Sequence, residues 1–556
     1  MNTIVNLLDK DRKTILKGII LGIVSGLLNF AFITFLNNTI AWLIGGEYEQ
    51  FNLGYTIGFC LIIFGFIWSR RELSFIVIRL SQNLFWRLRV EMLDMILQSN
   101  HEQVNKRKEK VQSALLNDVG ILTGASLSVI EFITSSVVVI SCLIYMSVLS
   151  VPLFLTTLAV AIVGVGVYQL GSGKNNKQFA VSRKLEDGFM KYFISILDGF
   201  KEIHMNGKKG KAILDKKIKP IAKDAYKNNI QAFVGFLNLQ ITGQVLFYIL
   251  ISSILLIFSV TFEIEKITVV NFIFVLLYLL GAIETIMVLL PSLARAKISL
   301  NHLSELKGEL ENEERRDFEN VRTIQKQEFQ YIKAKDICFT YFNDEGKESF
   351  HIGPLQMELQ AGEVTFIYGG NGSGKTTFVH ALLGILKPTD GAIEYNGKEL
   401  TDADYEEYKT LFSVVFNEFY LFDEFYGNED FDRERAAEYL KLFEIEDKIA
   451  VTEKGFSATA LSTGQRKRLA LIACLLENKP VLVLDEWAAD QDPYFRKKFY
   501  EEIIPMIKNQ GVSIIAITHD DAYYHCADKL VKMEDGSLLD ETSNIQNKKQ
   551  FKINEN

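Results

Sequence analysis

Six long apolar runs occupy the sequence up to about Leu290 and constrain the fold more than any other feature. Each run is close to the roughly 20 residues that a helix needs to cross a bilayer, so we predict six transmembrane helices. The first run is too long for the apolar core of a signal peptide, and we expect it to remain as an anchor. The predicted spans are approximately Ile15–Ile44, Leu53–Trp68, Ile130–Leu149, Val151–Leu170, Leu239–Val260 and Val269–Leu290.

The connections between these spans differ in length and in charge. Two short connections are mainly acidic, with Glu47 and Glu49 in the first and Glu263 and Glu265 beside Lys266 in the fifth. The two long connections are basic, and their cations include Arg87, Arg89, Lys106, Arg107, Lys108, Lys110, Lys201, Lys208, Lys209, Lys211, Lys216, Lys217 and Lys219. Because basic loops stay on the cytoplasmic side, we predict that both long connections and both termini are cytoplasmic.

The long connections also carry a helical pattern. The second repeats aromatic and aliphatic residues at helical spacing, at Phe189, Phe193, Ile196 and Phe200. We therefore predict that the spans continue as helices below the membrane and turn back near residues 99–102 and 198–202. A pair of solvated charged loops is the alternative.

Beyond Lys307 the composition becomes that of a soluble α/β domain. The chain of 556 residues is 48% hydrophobic and 23% charged, a mixture that two unlike halves explain. We predict a membrane domain at 1–306, a polar linker at 307–330, an α/β domain at 331–545 and a polar tail at 546–556. A net charge of −8 argues against a nucleic-acid-binding surface. The five cysteines have no paired spacing, so neither a zinc site nor a disulfide framework is indicated.

A glycine-rich loop in the second half predicts that the protein binds a nucleoside triphosphate. Its sequence, GGNGSGKT, follows the pattern of a phosphate-binding loop, in which Lys375 reaches the phosphates and Thr376 offers a hydroxyl to Mg²⁺. The run 364–368 before the loop is typical of a buried strand, and 377–385 after it of a helix whose N-terminus favours an anion. A glycine-rich surface turn is the alternative. The predicted binding residues are Gly369, Asn371, Gly372, Ser373, Gly374, Lys375, Thr376 and Thr377.

Two later strand patterns end in residues that suit phosphate chemistry. The apolar run 481–484 leads to Asp485 and Glu486. The first acid can hold Mg²⁺ through water, and the second can polarise an attacking water. The run 514–518 leads to His519. Acids that cap a following helix, and a structural histidine, are the alternatives.

A second phosphate-binding surface is predicted between the loop and these acids. Ser462 and Gly464 lie within 461–465, just before a helix that we predict from Arg466. A small hydroxyl and a glycine at a helix N-terminus are suited to an anion.

Together these segments resemble the ATP-binding cassette of ABC transporters, over about Tyr331 to Asp540. The glycine-rich loop matches the Walker A motif, 461–465 the family signature, 481–486 the Walker B motif, 489–492 the D-loop and His519 the switch histidine. Thr463 stands where a second glycine is commoner. Asn417 aligns with the family's glutamine and is one methylene shorter, which is a departure from the family pattern.

The resemblance implies ATP and Mg²⁺ as cofactors and a role for each site residue. Tyr341 sits where the family stacks an aromatic ring on adenine. Beyond the phosphate loop, the implied ATP-binding residues are Tyr341, Asn417, Ser462, Gly464 and Gln465. The implied metal-binding residues are Thr376, Asp485 and Asn417. The implied catalytic residues are Glu486, His519 and Lys375.

Spans fused ahead of one cassette resemble the exporter-type half-transporters of this family. The fold class implied is an all-α six-helix membrane domain followed by an α/β P-loop NTPase domain. The amino-acid sequence of segments 461–470 and 485–493 is similar to that of cyclic-peptide and siderophore-peptide exporters. This similarity implies a homodimer in the bacterial cytoplasmic membrane that exports a peptide, with ATP held between the Walker A loop of one chain and the signature of the other. Periplasmic or outer-membrane partners are left open.

Polar residues inside the predicted spans are candidates for contact with the exported substrate. Ionisable groups in a span are costly and usually face a cavity, which favours this interpretation for Glu284. Asn29, Gln240 and Gln244 carry the same signal more weakly, and hydrogen bonding between helices is their alternative. A lipid or drug exporter, or a membrane ATPase that senses without transporting, would share the architecture. A soluble ABC-type ATPase of the chromosome or translation class is excluded if the spans are real.

Overall fold

The structure is a computed structural model that describes residues 12–45, 53–310, 322–342 and 347–543. The chain divides into two compact units, Met1–Glu313 and Glu314–Asn556, and each is considered by itself. The acids predicted in the first short connection, residues 311–321 of the linker and the polar tail lie outside the described residues.

The N-terminal unit is helical throughout its described part. Its long helices are α1 (Arg12–Gly45), α2 (Leu53–Gln98), α3 (Val119–Leu149), α4 (Val151–Asp198), α5 (Lys219–Ser253) and α6 (Lys266–Leu310). Short helices connect them, at His101–Lys106, Lys108–Ser113, Phe200–Met205, Gly207–Ile213 and Ser259–Thr261. Wide π-helical turns interrupt the helices at Ala114–Asp118, Leu214–Ile218 and Ile254–Phe258.

Within the described residues, five helices are long and apolar enough to cross a membrane. They are Arg12–Thr39, Lys108–Leu149, Val151–Asp198, Gly207–Thr261 and Lys266–Leu310. The prediction of a multi-pass helical domain is therefore confirmed, whereas the count of six spans is not. The remaining predicted span is the first part of α2, whose apolar stretch ends at Trp68 and is followed by Arg70, Arg71 and Glu72.

The helices continue well beyond their apolar parts, as the periodicity predicted. The 48 residues of α4 have a length of about 72 Å at 1.5 Å per residue, more than twice a hydrocarbon core of about 30 Å. The breaks fall where turns were predicted, since α2 ends at Gln98 before the helix that begins at His101, and α4 ends at Asp198 before Phe200.

A buried ionic cluster joins three of these helical segments. It consists of Asp118, in the π-helical turn before α3, Arg183 and Asp187 on α4, and His302 on α6. Arg183 donates two hydrogen bonds to the carboxylate of Asp118, at 2.8 and 2.6 Å, and a third to Asp187 at 2.8 Å. The ring nitrogens of His302 lie 2.7 Å from Asp118 and 3.2 Å from Asp187. The side chains of Arg183 and Asp118 are only 6% and 0% exposed, so the cluster is shielded from water.

The described part of the C-terminal unit contains two sheets. The first is antiparallel in the order β2-β1-β4-β5, formed by β1 (Tyr331–Phe342), β2 (Glu348–Gln360), β4 (Asp390–Tyr395) and β5 (Lys398–Glu399). The second has six strands in the order β10-β9-β3-β8-β7-β6. Its members are β3 (Val364–Gly369), β6 (Phe412–Val415), β7 (Val481–Asp485), β8 (Ser513–Ile517), β9 (Lys529–Glu534) and β10 (Ser537–Asp540), and β10 alone runs antiparallel to its neighbour.

Helices connect the strands of this unit. The main ones are α7 (Lys375–Leu382), α8 (Tyr405–Lys409), α9 (Arg433–Leu442), α10 (Thr463–Leu476), α11 (Pro493–Lys498) and α12 (Ile504–Asn509). The predicted start of α10 at Arg466 was wrong, because the helix begins at Thr463, directly after Ser462.

The central strands are buried on both faces, which explains their continuous apolar runs. On β7, Leu482 and Leu484 pack into one hydrophobic core, while Val481 and Val483 pack into the other. Because the central strands are parallel, their carboxyl ends meet at one edge of the sheet, where ligands of α/β proteins bind.

Candidate functional site

The glycine-rich loop connects β3 to α7 and curls around the amino group of Lys375. Gly369 and Gly374 have φ angles of 153° and 107°, which only glycine adopts readily. A Cβ on Gly374 would lie 2.6 Å from Ile352, so the close approach also requires glycine. Lys375 is 5% exposed, and its Nζ donates to the carbonyls of Gly369 and Gly370 at 3.0 and 2.9 Å. Burial lowers the pKa of this amine.

Asp485 is the last residue of β7, at the carboxyl edge of the parallel sheet, and one of its oxygens is suited to a cation. The residue is 4% exposed, and among the described residues its Oδ1 has no hydrogen-bond partner. Burial, followed by the nearby charge of Glu486, raises the pKa of Asp485. The side-chain hydroxyl of Ser373 likewise has no described partner, and Thr376 is exposed at the start of α7.

These donors fit Mg²⁺ rather than a metal held by protein alone. The described part of the chain contains no group of three or more His, Cys, Asp and Glu residues able to hold a metal. Mg²⁺ needs no such group, because it is usually bound by one or two carboxylates together with phosphate oxygens and water. A single buried carboxylate next to a phosphate loop therefore suits it.

Glu486 lies at the centre of the edge, between the ends of two neighbouring strands. Its Oε2 accepts from Asn417 Nδ2 at 3.4 Å, and its Oε1 lies 3.3 Å from His519 Nε2. Asn417 follows β6 and His519 follows β8, so the strand order β8-β7-β6 brings the three side chains together. The backbone of Glu486 has a φ of 50°, and its N–H donates to Ile517 at 3.1 Å.

The signature segment faces solvent at the start of α10. Ser462 is exposed and its side chain makes no capping hydrogen bond to the helix. Gly464 has no room for a side chain, since a Cβ would lie 2.7 Å from the carbonyl of Asp490. Gln465 is half-buried on the same turn. The hydroxyl of Ser462 is thus available to a ligand outside the helix.

Tyr341 lies near the end of β1, in the antiparallel sheet. Its half-buried ring meets Phe339 edge-on, with the ring centres 4.9 Å apart, and lies 6.4 Å from the ring of Phe350. The rings of Phe339 and Phe350 therefore pack beside Tyr341, the residue that the resemblance assigns to stacking on adenine.

The sequence interpretation missed Lys467, a fully buried lysine on α10. Its Nζ contacts Glu486, Asp490 and Asn417, which makes it a neighbour of the predicted catalytic acid. A signal was available, because Lys467 shares helical spacing with the buried residues Ala470 and Leu471 and so falls on the apolar face of α10.

In the N-terminal unit, two of the four predicted substrate residues contact each other. Gln244 on α5 donates from Nε2 to Oε1 of Glu284 on α6 at 2.7 Å, and both side chains are half-buried. Asn29 on α1 and Gln240 on α5 are also half-buried. Hydrogen bonding between helices was the alternative to substrate contact for the amide side chains, and Gln244 makes such a bond. Its partner, Glu284, is the only carboxylate among the four predicted substrate residues.

Comparisons with known proteins agree with this arrangement. The sequence profile of the ABC transporter family matches residues 352–489. ATP-binding protein SyrD of Pseudomonas syringae pv. syringae is 30% identical over 529 residues, covering 93% of this chain and 92% of that protein. Energy-coupling factor transporter ATP-binding protein EcfA1 of Staphylococcus aureus (strain bovine RF122 / ET3-1) is 29% identical over 224 residues, 39% of this chain and 82% of that protein.

The fold of the whole chain also has a solved counterpart. The structure of a bacterial Atm1-family ABC exporter with ATP bound superposes with a TM-score of 0.80 at 16% identity, covering 97% of this chain and 99% of that one. With the matching profile and a relative aligned over most of its length, the chain belongs to the ABC transporter family and couples ATP hydrolysis to transport, and its fold is that of an exporter-type half-transporter.

Proposed function

We propose that this protein is a homodimeric exporter that moves a peptide-like substrate out of the bacterial cytoplasm, with both termini on the cytoplasmic side and six spans per chain. The ATP-driven part of this proposal rests on the edge of the sheet, where Glu486 contacts Asn417 and His519. Beside them lies Asp485, whose Oδ1 has no partner among the described residues. This arrangement sets an acid, an amide and an imidazole next to a phosphate loop.

The residues of this edge have distinct roles in the proposed mechanism. Lys375 exchanges its contacts with loop carbonyls for phosphate oxygens, and the N-terminus of α7 adds a favourable dipole. Thr376 and Asp485 would hold Mg²⁺, which neutralises phosphate charge when bound. Glu486 orients the attacking water, while Asn417 and His519 hold its carboxylate and reach towards the transferred phosphate. Positioning and fixed charge carry such reactions.

We propose a homodimer because an ATP site of this family needs a phosphate loop and a signature segment from two different chains. One chain has one phosphate loop and one signature segment, and the exposed hydroxyl of Ser462 is free of its own helix. Two identical chains related by a twofold axis would form two equivalent ATP sites, each from the phosphate loop of one chain and the signature of the other.

The proposal that the substrate is a peptide rests on the amino-acid sequence of segments 461–470 and 485–493, which is similar to that of cyclic-peptide exporters. The membrane unit adds the pair formed by Gln244 and Glu284, which offers a carboxylate and an amide on facing helices. A peptide backbone has amide N–H and carbonyl groups that suit such a pair, and a carboxylate favours a substrate with a positive charge.

We expect ATP-dependent accumulation of labelled cyclic peptides in inside-out vesicles that contain the protein. Peptides should also stimulate ATP turnover, and Glu284→Ala should weaken this stimulation more than Gln240→Ala, which changes a weaker substrate candidate that is half-buried on α5. The measurement is vesicle uptake beside ATPase rates for peptides, lipids and drugs. Stimulation by lipids or drugs but not by peptides would refute the proposal of a peptide substrate. ATP turnover without uptake of any substrate would favour the alternative of a membrane ATPase that senses without transporting.

A second test mixes two inactive chains. In a dimer of Lys375→Ala with Ser462→Arg, one composite site carries both defects and the other carries neither. Because each variant alone leaves no intact site, an equal mixture should recover roughly a quarter of the native ATP turnover if the two sites are equivalent and independent. Hydrolysis at the full rate by a strictly monomeric native protein would contradict the shared sites.

A further inference from the structure

Lys467 has an environment that is unusual for a lysine. The residue is 1% exposed, although lysine side chains are almost never fully buried unless they are paired. Its Nζ donates to the backbone carbonyl of Glu486 at 2.9 Å, pairs with Oδ2 of Asp490 at 2.7 Å and lies 3.5 Å from Oδ1 of Asn417. A lysine has three donor hydrogens, so these three acceptors use all of them.

The three acceptors belong to the two segments that carry the predicted chemistry. Glu486 and Asp490 lie on the turn after β7, and Asn417 lies on the segment after β6. The backbone of Glu486 has a φ of 50°, an uncommon conformation for a residue with a side chain. Its N–H is held by Ile517 and its carbonyl by Lys467, so both sides of this strained residue are fixed.

Further contacts bind the same turn to α10. The indole N–H of Trp487 donates to the carbonyl of Lys467 at 2.8 Å, and Gln491 Nε2 donates to the carbonyl of Gly464 at 3.1 Å. The signature segment and the catalytic acid of one chain are therefore connected through α10. Lys467 is the connection that reaches Glu486 itself.

We propose that Lys467 is a positioning residue for ATP hydrolysis, which fixes the backbone of Glu486 and the amide of Asn417 so that the carboxylate of Glu486 stays aligned with the attacking water. This inference rests on the proposed role of Glu486 and is independent of the exported substrate. Lys467 also compensates for the short side chain of Asn417, because it holds the amide of that residue within reach of Glu486.

The test compares Lys467→Met with Lys498→Met in the full-length protein. Methionine keeps an unbranched apolar side chain and removes the donors. Lys498 is the matched control, since its side chain is 15% exposed and pairs at 2.6 Å with Glu444, which belongs neither to the turn after β7 nor to the segment after β6. We expect Lys467→Met to lower kcat roughly 10- to 100-fold with KM for ATP changed by less than about threefold, because small misplacement of a reacting group is costly. Lys498→Met should keep native kinetics.

A double variant separates positioning from general stability. In the background of Glu486→Gln, adding Lys467→Met should lower turnover no further, since residues that act as one unit are not additive. If Lys467→Met is too unstable to purify, Lys467→Gln, which keeps one donor group, serves in the same comparison. Native kcat in Lys467→Met, or equal and additive losses in both backgrounds, would overturn the inference. Native turnover in Glu486→Gln alone would instead refute the proposed role of Glu486.

Discussion

Replacing Glu486 with glutamine is expected to lower ATP turnover by about 10²–10⁴-fold, the range typical of general acid–base effects. Glutamine keeps the size of the side chain and can still bond to Asn417 and His519, which contact the native carboxylate at 3.4 and 3.3 Å. It removes the negative charge that orients the attacking water. ATP binding should persist, because Lys375, Thr376 and Asp485 are unchanged.

The control for this variant is Asp485→Asn on the neighbouring residue. Its buried Oδ1, which has no partner in the described part of the chain, is the oxygen that we assign to Mg²⁺, so this change should weaken the affinity for Mg-ATP as well as turnover. Affinity for Mg-ATP and the hydrolysis rate should be measured side by side in both variants. A near-native rate in Glu486→Gln would mean that the acid is structural and that another group orients the water.

Breaking the ionic cluster of the N-terminal unit should destabilise that unit strongly. Arg183→Met leaves the carboxylate of Asp118, which is 0% exposed, without its bidentate partner. Loss of one partner from a buried ion pair typically costs about 3–5 kcal/mol. We expect a clear fall in the thermal midpoint of the purified protein in detergent.

The matched control is Lys219→Met, which removes an exposed pair with Asp215 whose side chains are 65% and 38% exposed. Exposed pairs contribute only about 0–1 kcal/mol, so its midpoint should stay close to native. The double variant Arg183→Leu with Asp118→Leu should regain part of the loss, because apolar replacement of a whole buried pair is often neutral. An unchanged midpoint in Arg183→Met would show that His302 alone satisfies Asp118.

The sequence predicted local features of the fold and most of the edge around Glu486. The glycine-rich loop and the strands before Asp485 and His519 are recognisable because each is defined by neighbouring residues. The helix breaks after Gln98 and Asp198 were predicted for the same reason.

Features that depend on distant residues were not predicted. Asp118, Arg183 and His302 are separated by 65 to 184 positions in the chain, and only the packing of three helical segments brings them together. The spacing of α10 places Lys467 on its apolar face, but the partners of its amino group lie on the turn after β7 and the segment after β6, which no local pattern on α10 specifies. The start of α10 was misplaced because Thr463 and Gly464 are poor helix formers in isolation.

The π-helical turn at Ala114–Asp118 is a position where one residue can be lost without disturbing the helix that follows. Ala114 and Val119 are five positions apart and both are 0% exposed, although on a regular α-helix they would point about 140° apart. The N–H of Val119 donates to the carbonyl of Ala114, so the wide turn absorbs one additional residue and returns both side chains to the same face. Loss of one residue here, for example the exposed Leu116, would convert the turn into a regular one without rotating the rest of α3. The same deletion one turn away would rotate every later side chain by about 100°. Homologues of different length are therefore expected to differ at such turns, where insertion and deletion leave the phase of the helix intact.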